Sequence, residues 1–192
     1  MTLLPTAFCP SVAYLSLIAS DEAVAVSVGE KYRKQTPRNR ALFLTAAGGA
    51  SFSIPVLHYD HPAPPTALIR LSEHGDWRQK LLHLLRSAYG TAPFWDHYES
   101  PIRDLIFDDS VPELARYNHL WLSLLCRAWD LPLPSLDPDP PAAGLVSFES
   151  LAARPVRRHH QVFDHKFGFT AGLSALDLLL NEGPYGVTFL TP

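Results

Sequence analysis

The segment Lys31-Tyr32-Arg33-Lys34-Gln35-Thr36-Pro37-Arg38-Asn39-Arg40 carries five of the sixteen Lys and Arg residues of the chain. No other Lys or Arg occurs from Met1 to Glu30, or from Ala41 to Ile69. In a protein of net charge −3, so isolated a cluster is where an anionic ligand would dock. An arginine offers a planar fork that grips a phosphate or carboxylate through two parallel hydrogen bonds, and a lysine offers a point charge. Gln35 and Asn39 add directional hydrogen bonding to that charge. If the segment is extended, Arg38 and Arg40 share one face and Asn39 lies on the other. The candidate anion site is therefore Lys34, Gln35, Arg38, Asn39 and Arg40. Its rival is a solvated loop whose charges only aid solubility.

A second constellation is His159-His160-Gln161-Val162-Phe163-Asp164-His165-Lys166. The interval between His160 and His165 is one that zinc sites use, but a third or fourth ligand is needed and no cysteine lies nearby. No metal is expected there, although a single histidine, with an ordinary pKa of about 6.5, could still move a proton. Cys9 precedes the first predicted helix, whose N-terminus could lower a thiol pKa and make a nucleophile. Burial as a small apolar residue is the commoner fate of a free cysteine, and Cys126 reads as structural. Trp77, Tyr89, Phe94, Trp95 and Tyr98 gather around Gly90–Pro93; they could line a sugar or base pocket, with core packing as the default. Nothing matches a Ser-His-Asp signature, a phosphate-binding Walker loop or a dinucleotide glycine motif, and no cofactor is implied.

These side chains need a scaffold. Thr2 to Phe8 reads as a buried strand, Ser11 to Ala19 as a short helix and Ala23 to Val28 as a second strand. Together they make a βαβ opening. The basic segment follows the second strand directly, and in open α/β sheets ligands bind off the carboxyl ends of the strands. Ala41 to Thr45 and Ser51 to Leu57 read as a hairpin, and Thr66 to Leu71 as another strand. Helices are predicted over Gly75 to Tyr89, over Pro93 to Phe107 with a break near Pro101, and over Val111 to Trp129. Leu131 to Ala143, with five prolines, reads as a linker or loop. A helix from about Ser174 to Asn181 and a strand over Gly186 to Leu190 close the chain.

The bulk numbers fit that layout. A chain of 192 residues, 47% apolar and 18% charged, suits one folded domain. The negative net charge gives nucleic-acid binding no general support. Two cysteines make no disulfide framework and no run is long enough to span a bilayer, so a cytoplasmic, soluble protein is expected. The fold class is α/β: one domain over residues 1–192 with a mixed sheet, a helical segment at about 75–130 packed on it, and the linker or loop at 131–143.

Leu4-Pro5-Thr6-Ala7-Phe8 with Tyr14, and then Tyr32-x-Lys34-Gln35-Thr36-x-Arg38-Asn39-Arg40, resemble the WbqC-like family. Ser53-Ile54-Pro55-Val56, Trp77-Arg78, Ser87-Ala88-Tyr89 and Pro93-Phe94 extend the resemblance. So do Gln161-Val162-Phe163, Gly168-Phe169, Asp177-Leu178-Leu179 and Gly183-Pro184. The resemblance implies a role in bacterial surface-polysaccharide (O-antigen) metabolism and carries no catalytic residue with it. His159-His160, Leu81-Leu82 and Phe167 depart from the residues usual in such relatives, and Cys9 is outside the pattern. The expected ligand is a small anionic metabolite or nucleotide sugar. Two functions follow: an enzyme acting on it, with group transfer to an amino sugar as one form, or a non-catalytic binding or assembly module.

Overall fold

A computed structural model describes residues 2–20, 23–60, 62–139 and 144–191. The first strand, β1 (Thr2–Pro5), pairs in parallel with β2 (Val24–Ser27), with Leu3 opposite Ala25 and Leu4 opposite Val26. Helix α1 (Val12–Ser20) connects them, so the βαβ opening is present as predicted. A third parallel strand, β5 (Ser135–Asp137), lies on the other side of β2 with Leu136 opposite Val26. The central strand is covered on both faces, which accounts for its unbroken Val-Ala-Val run. Two strands, β3 (Arg40–Thr45) and β4 (Gly48–Ser53), form a separate antiparallel hairpin about an Ala46-Ala47 turn. Parallel and antiparallel strands thus stand as two sheets and not as one mixed sheet. Thr45 secures the turn, its hydroxyl donating to the Gly48 carbonyl at 3.0 Å and accepting from the Ala47 N–H at 3.2 Å.

Three long helices supply most of the core: α2 (Trp77–Tyr89), α3 (Trp95–Ile106) and α4 (Leu114–Ala128). Pro101 lies within α3 and does not end it, because Trp95, Tyr98, Ile102 and Ile106 form one buried stripe at helical spacing. An edge-to-face aromatic ladder links α2 and α4 to the end of β1, with Trp77–Tyr117 centroids 5.9 Å apart, Tyr117–Trp121 6.4 Å and Trp121–Phe8 5.9 Å. Each fully buried ring of this kind contributes roughly 1.5–3 kcal/mol of apolar burial, and the ladder fixes the loop that starts at Phe8. The shorter helices are α5 (Phe148–Ala152), α6 (Asp164–Phe167) and α7 (Ala175–Glu182). Helix α7 is buried along most of its length and starts at Ser174, whose hydroxyl accepts from the Leu176 N–H at 3.2 Å.

Three segments differ from their sequence expectations. Thr66–Leu68 is a 3-10 turn and not a strand. Thr66 donates through both N–H and hydroxyl to the Glu30 carbonyl, at 2.8 and 2.9 Å, and that local tether overrides the β-branched pattern. Gly183–Phe189 is likewise a 3-10 helix, with Gly183 at φ 59° and Pro184 in its first turn. Within the proline-rich stretch, Ser135–Asp137 form β5; residues 140–143 of that stretch lie outside the described residues. No helix among the described residues is long and apolar enough to cross a membrane.

Candidate functional site

The carboxyl ends of β1 and β2 open into two loops that lie against each other. The Thr6 N–H donates to the Ser27 carbonyl at 3.3 Å and the Phe8 N–H to the Pro37 carbonyl at 2.9 Å. The basic segment is a turn here and not an extended strand. The N–H groups of Asn39 and Arg40 both donate to the Thr36 carbonyl at 3.1 Å, so Arg38 and Arg40 do not share a face.

The structure therefore divides the five candidate residues. Arg38 is buried, ion-paired to Glu30, hydrogen-bonded to the Thr36 hydroxyl at 3.3 Å and placed 5.1 Å from the Phe148 ring centroid. Its carbonyl accepts from the Asn118 amide at 2.8 Å, and the same amide nitrogen donates to the Thr6 hydroxyl at 3.2 Å. Asn118 thus ties α4 to both loops. Asn39 is buried and donates to the Ile54 carbonyl at 3.2 Å, which joins the turn to the end of the hairpin. Lys34 is exposed over the Tyr59 ring at 5.0 Å, and Gln35 is exposed at φ 59°. Arg40 is half-buried, and its Nε donates to the Ser53 hydroxyl at 2.9 Å. Among the described residues it has no carboxylate partner.

Arg40 faces a cavity of about 280 Å³ beyond the carboxyl end of β1, walled by Phe8, Cys9, Ser11, Leu151 and Arg154 among others. Among the described residues, Arg40 and Arg154 are its charged lining residues, and no Asp or Glu lines it. The first turn of α1 adds the positive end of a helix dipole on the same side. A second cavity of about 260 Å³ shares Phe148 with the first and is lined by Lys31, Arg33 and Arg38 with Glu30 and Glu149. A larger groove, about 840 Å³, runs between α3 and α4; its charges are mixed (Asp104, Asp108, Arg127), and it includes no residue of the basic segment.

Cys9 lines the first cavity at φ 42°, but burial pushes its thiol well above the usual range. It stays protonated near neutral pH and is a poor nucleophile. The histidine segment contains a pairing that sequence reasoning missed. The buried His159 Nε2 lies 2.8 Å from the Asp177 Oδ2, which also accepts from the Gln161 amide at 2.8 Å. His159 packs edge-on between Phe169 and Phe189, with centroids 5.2 and 6.1 Å away, and lines neither cavity at the sheet edge. The signal available in sequence was Asp177 and Asn181, polar residues that, apart from the terminal Glu182, interrupt an apolar helix. His160 is exposed with its Nδ1 3.6 Å from Asp164, and His165 is exposed. Among the described residues no three His, Cys, Asp or Glu side chains group as a metal site would.

A family model described as the WbqC-like protein family matches residues 6–137, more than half of the chain. The match begins in the loop after β1 and ends with β5. It includes Arg38, Arg40 and Asn118 and stops short of α5 and Arg154. No curated protein and no solved structure matches the chain.

Proposed function

The chain belongs to the WbqC-like protein family, and on that premise we propose that it binds an anionic sugar metabolite of bacterial surface-polysaccharide (O-antigen) synthesis in the Arg40–Arg154 cavity. The observation that carries this reading is a cavity at the carboxyl edge of a parallel sheet holding two arginines and, among the described residues, no lining carboxylate. The half-buried Arg40 and the exposed Arg154, without a carboxylate partner among the described residues, favour a phosphate or carboxylate through forked, charge-assisted hydrogen bonds. The cavity, about 280 Å³, is at the small end of ligand clefts, which run roughly 300–1,000 Å³. It suits the charged sugar portion of a ligand better than a whole nucleotide sugar. Of the five residues expected at the site, Arg40 contacts the ligand, while Arg38 and Asn39 hold the turn that presents it. Action in the cytoplasm is supported by Cys9 and Cys126, both buried and unpaired.

Two versions of this function remain: an enzyme that transfers a group to the bound sugar, and a module that only binds. One observation favours the second. Among the described residues, those lining the cavity include Cys9 and Ser11 but no Asp, Glu or His to serve as their base. The test is thermal unfolding against a panel of hexose phosphates, nucleotide sugars and inorganic phosphate. A ligand at 100 times its Kd adds about 2.7 kcal/mol, or roughly 5–11 °C for a domain of this size. Arg40→Ala should abolish that rise. A panel with no stabilising member would refute the assignment.

A further inference from the structure

The second cavity adjoins the first at Phe148, a shared wall that makes them two halves of a single candidate site. Both take residues from the same basic segment: Pro37 and Arg40 in one, Lys31, Arg33, Thr36 and Arg38 in the other. The ring of Phe148, at the start of the short α5, lines both and forms the partition between them. It is half-buried, with Arg38 as its cationic neighbour. At about 280 and 260 Å³, each half lies below the usual size of a ligand cleft, and the two together fall within it.

Their chemistry is unequal. The first half is walled mainly by carbon. The second presents three cations, of which only Arg38 is ion-paired among the described residues. Arg38 is itself buried, and its Nε has no hydrogen-bond partner. Glu149 is the one exposed carboxylate lining this half. It is held below the usual carboxylate range by its own backbone N–H and Ser147 first, and then by Arg33 and Arg38. Glu149 thus brings a negative charge to the wall of this half without forming an ion pair with its cations among the described residues.

We infer that the cavity ringed by Lys31, Arg33 and Arg38 takes the diphosphate of a diphosphate-linked sugar, whose sugar portion passes Phe148 into the Arg40–Arg154 cavity. This rests on the assignment of that cavity made above. Lys31 and Arg33 supply two uncommitted cations for two phosphoryl groups, Arg38 supplies a fixed third, and Glu149 is displaced as the ligand enters. Lys31 and Arg33 are exposed, so their removal leaves the core intact.

Titration calorimetry with inorganic pyrophosphate on the full chain tests this. Lys31→Ala/Arg33→Ala should weaken binding about tenfold or more, the loss of two charge-assisted contacts. Glu149→Gln should tighten binding severalfold, an effect that a merely structural role for this loop would not produce. Pyrophosphate bound at Lys31 and Arg33 should keep its affinity within about twofold in Arg40→Ala, with only a separate oxyanion site at Arg40 lost. A nucleoside-diphosphate hexose should lose affinity in both the double variant and Arg40→Ala. The inference is overturned if pyrophosphate fails to bind at millimolar concentration, if the double variant binds it normally, or if Glu149→Gln weakens it. A hexose phosphate that stabilises the wild type but not Arg40→Ala would leave the first cavity's assignment standing in each of those cases. Loss of that stabilisation alone would remove the first cavity's assignment and the passage of the sugar past Phe148, and leave the pyrophosphate site standing.

Discussion

Replacing Arg38 with Ala leaves Glu30 buried beside an empty space. The two side chains are 7% and 16% exposed, so the pair is largely removed from water, and breaking such a pair costs about 3–5 kcal/mol. The residual exposure of Glu30 places the loss near 3 kcal/mol, and the Thr36 hydrogen bond and Phe148 contact add to it. For a domain of this length that is roughly a 6–12 °C fall in Tm. Arg40→Ala, two residues away, removes one hydrogen bond to Ser53 from a half-buried side chain and should cost no more than about 1 kcal/mol. Urea unfolding at constant ionic strength gives both numbers. The double variant Glu30→Gln/Arg38→Met, which removes both charges, should recover much of the loss, since neutral replacements of a buried pair are often well tolerated. An Arg38→Ala loss below about 1 kcal/mol, or an Arg40→Ala loss as large as that of Arg38→Ala, would refute the reading that Arg38 is fixed by a structural ion pair and that Arg40 is free of one.

Two further outcomes follow from the same packing. Burial holds the His119 pKa below its ordinary value, and its Nδ1 has no hydrogen-bond partner among the described residues. The unfolded chain therefore binds the proton more readily, so stability is full above about pH 6.5 and falls as pH drops through the folded value. Unfolding midpoints of wild type and His119→Gln should converge as pH drops from 7 to 5; a constant gap would contradict this. A Cβ added at Gly183 would lie 2.4 Å from the Phe94 ring, at a φ of 59°. Gly183→Ala should thus cost about 2–4 kcal/mol from overpacking and backbone strain combined; a loss under about 1 kcal/mol by urea unfolding would show that Phe94 moves aside freely.

Local pattern carried the βαβ opening, the hairpin and α2 to α4, because apolar spacing and turn residues act over a few positions. What was not legible depended on partners distant in sequence. β5 is three residues between prolines, and only its pairing with β2 makes it a strand. Thr66–Leu68 turns because Glu30 lies beneath it. The basic segment was recognisable as a cluster, but its division was not. The turn at Thr36 sends Arg38 toward Glu30 and Arg40 toward the cavity, and Arg154 arrives from a segment more than a hundred residues away. The pairing of His159 with Asp177 was hidden for the same reason, with each residue unremarkable until α7 packs.

The most direct test of the central claim is where a phosphate-like anion settles. In crystals soaked with tungstate, a heavy oxyanion whose anomalous signal locates it without ambiguity, the account predicts a peak within about 4 Å of the Arg40 guanidinium, inside the cavity shared with Arg154. Peaks confined to exposed lysines such as Lys34, with none in that cavity, would contradict it.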